Sequence, residues 1–293
     1  MTGAGVWAQV RRWPYRLRSH VLRQRWGQEL AARLGHELQP DRWVFILSCY
    51  NSGTTLLRQI LGRHPAIGIL PGEGVRFTDV LPRPEQFGWN RMWCQCVDAV
   101  RLPAGPATSA VARRIQRQWS LLFPRRPVLL EKSIANAARL PFLADHFRPA
   151  YCIYIVRNGY AVAEGIRRKA QPLKWGNGRF GPRYPISLCA QQWRDTDRLL
   201  QADRGQAAHF LVVSYEELTA QPAAVLGRIT RFLELDPLPA SALAGTFSVH
   251  GVVAPIHDMN GPSLARLQAA DLDAIEAVAG EELDRYGYRR PAG

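Results

Sequence analysis

Apolar residues in this chain come in short unbroken runs, each followed by a stretch with helical spacing. RWVFILS (42–48), PVLLEKS (127–133), AYCIYIVR (150–157) and HFLVVSYEEL (209–218) lack the apolar–polar alternation of a strand with one wet face. Continuous runs of this kind predict strands buried on both faces. A shorter strand, ringed by Gly and Pro, is expected within HPAIGILPGEG (64–74). Helical spacing is expected over 54–62, 135–147, 161–168, 187–200, 222–233 and 269–285. Alternating strand and helix predict an α/β domain whose parallel sheet is covered on both faces. Residues 82–126 are Trp-rich and broken by Pro, and read as helices with a long connection.

Residues 1–40 depart from that rhythm. They hold seven arginines against two glutamates, with Trp7, Trp13 and Trp26 interleaved. Val10, Trp13, Leu17, Val21 and Leu22 fall on one helical face. Such a basic amphipathic arm suits either an anionic membrane surface or the flank of its own domain. The expected division is therefore an arm, 1–40, and a domain, 41–293.

Composition narrows the partners. The chain has 293 residues, 47% hydrophobic, enough for one large core. Its 38 basic and 24 acidic residues leave a net charge of +14, which attracts anions. Only Lys132, Lys169 and Lys174 are lysines; the other bases are arginines. No helix-turn-helix, zinc-finger or aromatic RNA-binding pattern accompanies the charge, so nucleic acid is not an expected partner. Cys49, Cys152 and Cys189 lie in apolar or helical patterns and read as buried free thiols in a reducing compartment. Cys94 and Cys96 are too close for a zinc knuckle, and the histidines do not cluster, so no metal is expected. The N-terminus lacks the apolar core of a secretory signal, and no run approaches the ~18 apolar residues of a membrane span. The expected location is cytoplasmic, with the arm as the one membrane-directed element.

The candidate chemistry centres on FILSCYNSGTTLLRQIL (45–61). A buried strand feeds a tight turn and then a helix. Backbone N–H groups converge there, and the positive end of the helix dipole points at them. Gly53 permits close approach, and Ser52, Thr54 and Thr55 add hydroxyl donors. This is an anion site, but not a Walker A loop, because no lysine precedes the hydroxyl residue. Neutral Asn51 stands there instead. The buried strands end at Ser48, Ser133, Arg157 and Tyr215, so none offers a magnesium-binding Asp.

SCYNSGTTLLRQILGRHP resembles the 5′-phosphosulfate loop of sulfotransferases that use 3′-phosphoadenosine 5′-phosphosulfate (PAPS). YIVRNGYAVAEGIRR (154–168) resembles their 3′-phosphate motif. LLEKSIANAARLPFLADHF and SYEELTAQPAAVLGRITRFLEL resemble the segments between and after these two. Order and spacing match across 41–290, with most likeness to bacterial-type carbohydrate and small-molecule enzymes and to tyrosylprotein enzymes. The resemblance implies a P-loop nucleotide-kinase-like three-layer sandwich with a central parallel sheet of about five strands. It implies transfer of a sulfuryl group from PAPS to a hydroxyl of a carbohydrate, glycolipid or other small molecule, without a metal.

The resemblance also assigns residues. Asn51, Ser52, Gly53, Thr54 and Thr55 match the loop that grips the 5′-phosphate, and Arg157 matches the 3′-phosphate arginine, whose fork suits a terminal dianion. Two positions depart. The family usually has Lys or Arg where Asn51 stands, and Ser where Gly165 stands. Arg167 and Arg168 are the expected substitutes beside the 3′-phosphate. Lys132, at the end of a buried strand in E-K-S, is expected to supply the missing charge, with Asn51 contributing an amide donor. Glu73, about twenty residues past the loop, is the expected general base. His64 is expected to be structural. Arg167, Arg168, Lys169, Lys174, Arg179 and Arg183, with Trp175, Phe180 and Tyr184, are expected to close over the acceptor. Two rival readings stand beside this one: a nucleotide-dependent kinase on the same fold, and a degenerate nucleotide-binding protein marked by Asn51 and Gly165.

Overall fold

The computed structural model describes residues 15–249 and 251–291. Trp7, Val10, Trp13 and His250 lie outside the described residues.

Strand β1 (Arg42–Leu47) is the centre of a five-stranded parallel sheet with β2 (Ile67–Ile69), β3 (Val128–Glu131), β4 (Ala150–Val156) and β5 (His209–Ser214), in the order β2-β3-β1-β4-β5. Trp43 pairs with Leu129 on one side and with Ala150 on the other. This central place explains the unbroken apolar run of β1. Trp43, Phe45 and Leu47 enter one core, while Val44 and Ile46 enter the other. The first core is aromatic, with the Trp43 ring 5.0 Å from that of Phe147 and edge-on to Phe123. The second is mostly aliphatic, filled by Leu57 and Ile60 from one helix and Leu226 and Ile229 from another. The result is the expected three-layer α/β sandwich.

Helices were read less evenly than strands. α1 (Tyr15–Val21) and α2 (Arg25–Leu34) precede the sheet; α3 (Thr54–Leu61) follows the turn after β1, and α4 (Ser109–Trp119) is the long helix of the 82–126 region. The expected helix 135–147 is split into a 3₁₀ run, Ile134–Arg139, and α5 (Leu140–His146). α6 (Gly159–Lys169) starts earlier than its apolar spacing suggests, because the Asn158 side chain accepts from the N–H groups of Tyr160 and Ala161. α7 (Ile186–Asp203) packs beside it. The run 209–218 is strand only to Ser214. There Ser214 Oγ accepts from the Glu217 N–H at 3.1 Å and starts α8 (Tyr215–Ala220), so a cap ends the strand. α9 (Pro222–Phe232) and α10 (Ala269–Arg285) fall where expected. A small antiparallel hairpin, β6 (Phe247–Val249) and β7 (Val252–Ala254), was not anticipated.

The described part of the arm lies on the domain. Gly27, Gln28, Ala31 and Ala32 of α2 are buried, and the Gln118 amide of α4 donates to the Gln28 carbonyl at 3.1 Å. Arg114 bridges Glu29 and Asp79, each at 2.6 Å. Leu22 is buried, whereas Leu17 and Trp26 are exposed. Among the described residues, no helix is long and apolar enough to cross a membrane.

Candidate active site

Parallel pairing brings the C-terminal ends of all five strands to one edge, where open α/β sheets place their ligands. The chain winds to one side of β1 for β2 and β3, and to the other for β4 and β5. The turn after β1 is thus flanked by Lys132, beyond β3, and Arg157, beyond β4. Three segments widely separated in sequence become neighbours through strand order alone.

The turn has the geometry of an anion cradle. Asn51 and Gly53 both have positive φ, 60° and 86°. A Cβ on Gly53 would lie 2.5 Å from the Tyr215 ring, so only glycine fits this bend. Among the described residues no side chain caps α3, which leaves its first N–H groups facing the turn. Ser52 and Thr54 are buried, and Thr55 is half-buried.

Arg157 is buried beside this cradle, at 7% exposure. Its Nη1 donates to the Asn51 carbonyl at 2.6 Å, and its Nε donates to Asn260 Oδ1 at 2.7 Å. Its plane lies 4.2 Å from the Tyr215 ring centroid. Nη2 is buried with no partner among the described residues. Burial lowers the guanidinium pKa, opposed by Tyr215 and Glu216 nearby; an arginine nevertheless stays charged. Asn260 is held in turn by Glu216, whose Oε1 accepts from the Asn260 amide at 2.8 Å and the Asn158 N–H at 3.0 Å. Glu216 Oε2 accepts from Tyr288 and Ser214 hydroxyls, each at 3.0 Å.

Lys132 and Glu73 meet on the other flank. Lys132 Nζ is 2.7 Å from Glu73 Oε1, with side-chain exposures of 7% and 29%. The Glu73 loop is clasped from β3. Glu131 Oε1 accepts from the Gly74 N–H at 2.7 Å, Ser133 Oγ accepts from the Val75 N–H at 3.1 Å, and Trp119 Nε1 donates to the Gly74 carbonyl at 3.1 Å. Full burial pushes the Glu131 carboxyl up to about 7, against the opposing bonds from Ser133 and Gly74.

The other expected residues are engaged elsewhere. Arg167 makes a bidentate pair with Asp271, at 2.6 and 2.9 Å, and Arg168 pairs with Glu164 at 3.0 Å. Both guanidiniums thus have carboxylate partners. His64 is structural: Nδ1 accepts from the Ala66 N–H, which leaves Nε2 to donate to the Asp236 carbonyl at 3.0 Å. The loop 170–185 packs on the 84–91 segment through Trp89, Phe180 and Tyr184, with Arg179 over the Trp89 and Phe180 rings. Among the described residues, no three His, Cys, Asp or Glu side chains gather as a metal site.

Sequence reasoning missed Asn260, Tyr215 and Glu216 as site residues. Tyr215 and Glu216 lay within the quoted SYEEL, but as strand residues their side chains had no predicted target. Asn260 opens a short helix, Asn260–Leu264, that no periodic signal announces.

The architecture and the sequence have known relatives. A family model described as "Sulfotransferase family" matches residues 43–239. Protein-tyrosine sulfotransferase A of Caenorhabditis elegans is 25% identical over 205 residues, covering 66% of this chain and 50% of that protein. The chain spans between half and two thirds of the length of the curated relatives it matches. The sulfotransferase domain from the Synechococcus PCC 7002 olefin synthase is 25% identical, with 87% of this chain and 98% of that one covered and a TM-score of 0.51. Mouse sulfotransferase SULT7A1 complexed with PAP shares the fold at 15% identity, with 85% of each chain covered and a TM-score of 0.51.

Proposed function

The chain belongs to the sulfotransferase family, and from that premise we propose that it transfers a sulfuryl group from PAPS to an acceptor hydroxyl. The observation that carries this reading is the pairing, on one sheet edge, of a buried arginine with an orphaned Nη2 and a lysine–glutamate pair. The first suits a nucleotide phosphate; the second suits proton handling. Bound there, PAPS supplies a sulfuryl group whose S–O bond to phosphate breaks as the bond to the acceptor oxygen forms, leaving 3′,5′-ADP.

The chain's own groups divide the work. Ser52, Gly53, Thr54 and Thr55 hold the 5′-phosphate on the uncapped N-terminus of α3. Arg157 holds the 3′-phosphate through Nη2, its other nitrogens being fixed by Asn51 and Asn260. Lys132 orients the Glu73 carboxylate through Oε1. Glu73 Oε2 takes the proton from the acceptor hydroxyl. Lys132 and the Asn51 amide donate to negative charge that develops during transfer. Much of the rate comes from holding these groups in place before the acceptor arrives. The acceptor is a carbohydrate, glycolipid or other small-molecule hydroxyl, approached past the loop 170–185.

A thermal-shift comparison tests the nucleotide. 3′,5′-ADP at a hundred times its Kd is expected to stabilise the fold by about 2.7 kcal/mol, and ATP with Mg²⁺ to leave Tm unchanged. The reverse result would replace sulfuryl transfer by a kinase reading.

A further inference from the structure

The positive charge absent at Asn51 has a source that lies outside every motif quoted above. We infer that Arg91 supplies it, and that Gly165 makes the arrangement possible by giving the Asn51 side chain room. This rests on the sulfuryl-transfer reading and names a residue that orients charge for it.

Arg91 Nη1 lies 3.4 Å from Asn51 Oδ1, and its guanidinium lies 5.7 Å from the centre of the Tyr50 ring. It reaches the turn from the 88–92 loop. Its backbone has φ of 62°, a region that arginine adopts only under constraint. Met92 and Trp93, at 0% and 1% exposure, anchor the next two positions. A strained backbone locked by two buried side chains holds the guanidinium over the turn. The charged and titratable groups that face it are Tyr50, Glu73, Glu85, Arg168, Lys169 and the Cys49 thiol; burial lowers its pKa, and Tyr50, Glu73 and Glu85 oppose that.

Gly165 explains the other half. A Cβ there would lie 3.0 Å from Asn51 Nδ2 and 3.1 Å from its Cγ. The Asn51 side chain therefore lies flat on α6, with Nδ2 buried and unpartnered among the described residues and Oδ1 turned to Arg91. The two departures from the family pattern are one contact. A side chain at 165 would make Asn51 give way by a few tenths of an ångström. A lysine at 51 would set a second cation against Arg91, which like-charge repulsion disfavours. Asn51, Arg91 and Gly165 thus form a unit in which a neutral amide positions a cation from another loop.

The experiment compares wild type with Arg91→Gln, Asn51→Lys and the double variant. Affinities for PAPS without acceptor and for 3′,5′-ADP are measured by calorimetry. Arg91→Gln is expected to weaken PAPS binding about tenfold and 3′,5′-ADP binding less than about threefold. Its kcat should fall about 10²-fold, and Asn51→Lys added to it should restore kcat to within about tenfold of wild type. A readout independent of turnover is the titration of Lys169, whose pKa burial and then Arg91 push down to about 8. With only three lysines in the chain, ¹³C-lysine labelling follows each one. Loss of the Arg91 charge should move the Lys169 midpoint up. Unchanged PAPS affinity and an unchanged Lys169 midpoint in a folded Arg91→Gln protein would overturn the assignment, as would a double variant no more active than Arg91→Gln. Failure of wild type to bind either nucleotide would instead remove the reading on which it stands, and the assignment with it.

Discussion

The two flanks of the turn after β1 are built on opposite electrostatic plans. Among the described residues, the hydrogen-bond partners of Arg157 are neutral, the Asn51 carbonyl and the Asn260 amide oxygen; the Glu216 carboxylate acts through Asn260. Its charge is left whole for an anion. Lys132 is paired directly with Glu73 at 2.7 Å, so its charge is shared from the start. Arg167 and Arg168 resemble Lys132 in this respect, being matched to Asp271 and Glu164. On the proposed reading, the difference separates a flank that binds charge from one that moves a proton.

Variants on each flank should therefore fail differently. Glu73→Gln removes the proposed proton acceptor but no proposed nucleotide contact. Its kcat should drop by about 10³-fold, measured in single turnover, with 3′,5′-ADP affinity within about threefold of wild type. Arg157→Ala should do the opposite, weakening 3′,5′-ADP binding by about 10²-fold in calorimetry, since charge-assisted hydrogen bonds contribute about 1.5–3 kcal/mol each. Asn260 sharpens the contrast. Asn260→Ala should cost about tenfold in nucleotide affinity. Asn260→Asp should cost more than the alanine, because it places a carboxylate directly on Arg157; equal losses would show that neutrality of that partner is irrelevant.

The smallest effect concerns the clasp of the Glu73 loop. Glu131 is raised from an ordinary 4.5 to about 7 by burial. A carboxyl that holds its proton more tightly when folded contributes stability below the unfolded pKa. That contribution is lost as pH rises from about 4.5 through about 7. Urea unfolding across this range should show the decline in wild type and a flatter profile in Glu131→Gln. Parallel profiles would separate Glu131 from the pH dependence.

The sequence reading caught what strand order alone could assemble. The runs before Ser48, Lys132 and Arg157 are continuous because both sheet faces are covered, and parallel strands bring their ends together without further information. Lys132 and Glu73 were named separately, and their pairing was not anticipated. What stayed hidden lies outside the periodic runs. Asn260, at the start of a five-residue helix, holds Arg157 and is itself held by Glu216, and Arg91 reaches the turn from a loop anchored by buried Met92 and Trp93. The strand reading of SYEEL failed because a serine cap at Ser214 turns the chain into a helix and swings Tyr215 under Arg157. The pattern of residues 51 and 165 looked like two separate losses; only the contact between them makes one arrangement.

The central claim is sulfuryl transfer with Lys132 on the proton-handling flank. Its most direct measurement is transfer of ³⁵S from labelled PAPS to a panel of sugar, glycolipid and small-molecule hydroxyls, by wild type and by Lys132→Ala, alongside 3′,5′-ADP affinity. We expect labelled product from wild type, and in Lys132→Ala about 10²-fold less with nucleotide affinity kept. A wild-type protein that binds 3′,5′-ADP yet transfers no label, or a Lys132→Ala protein as active as wild type, would contradict it.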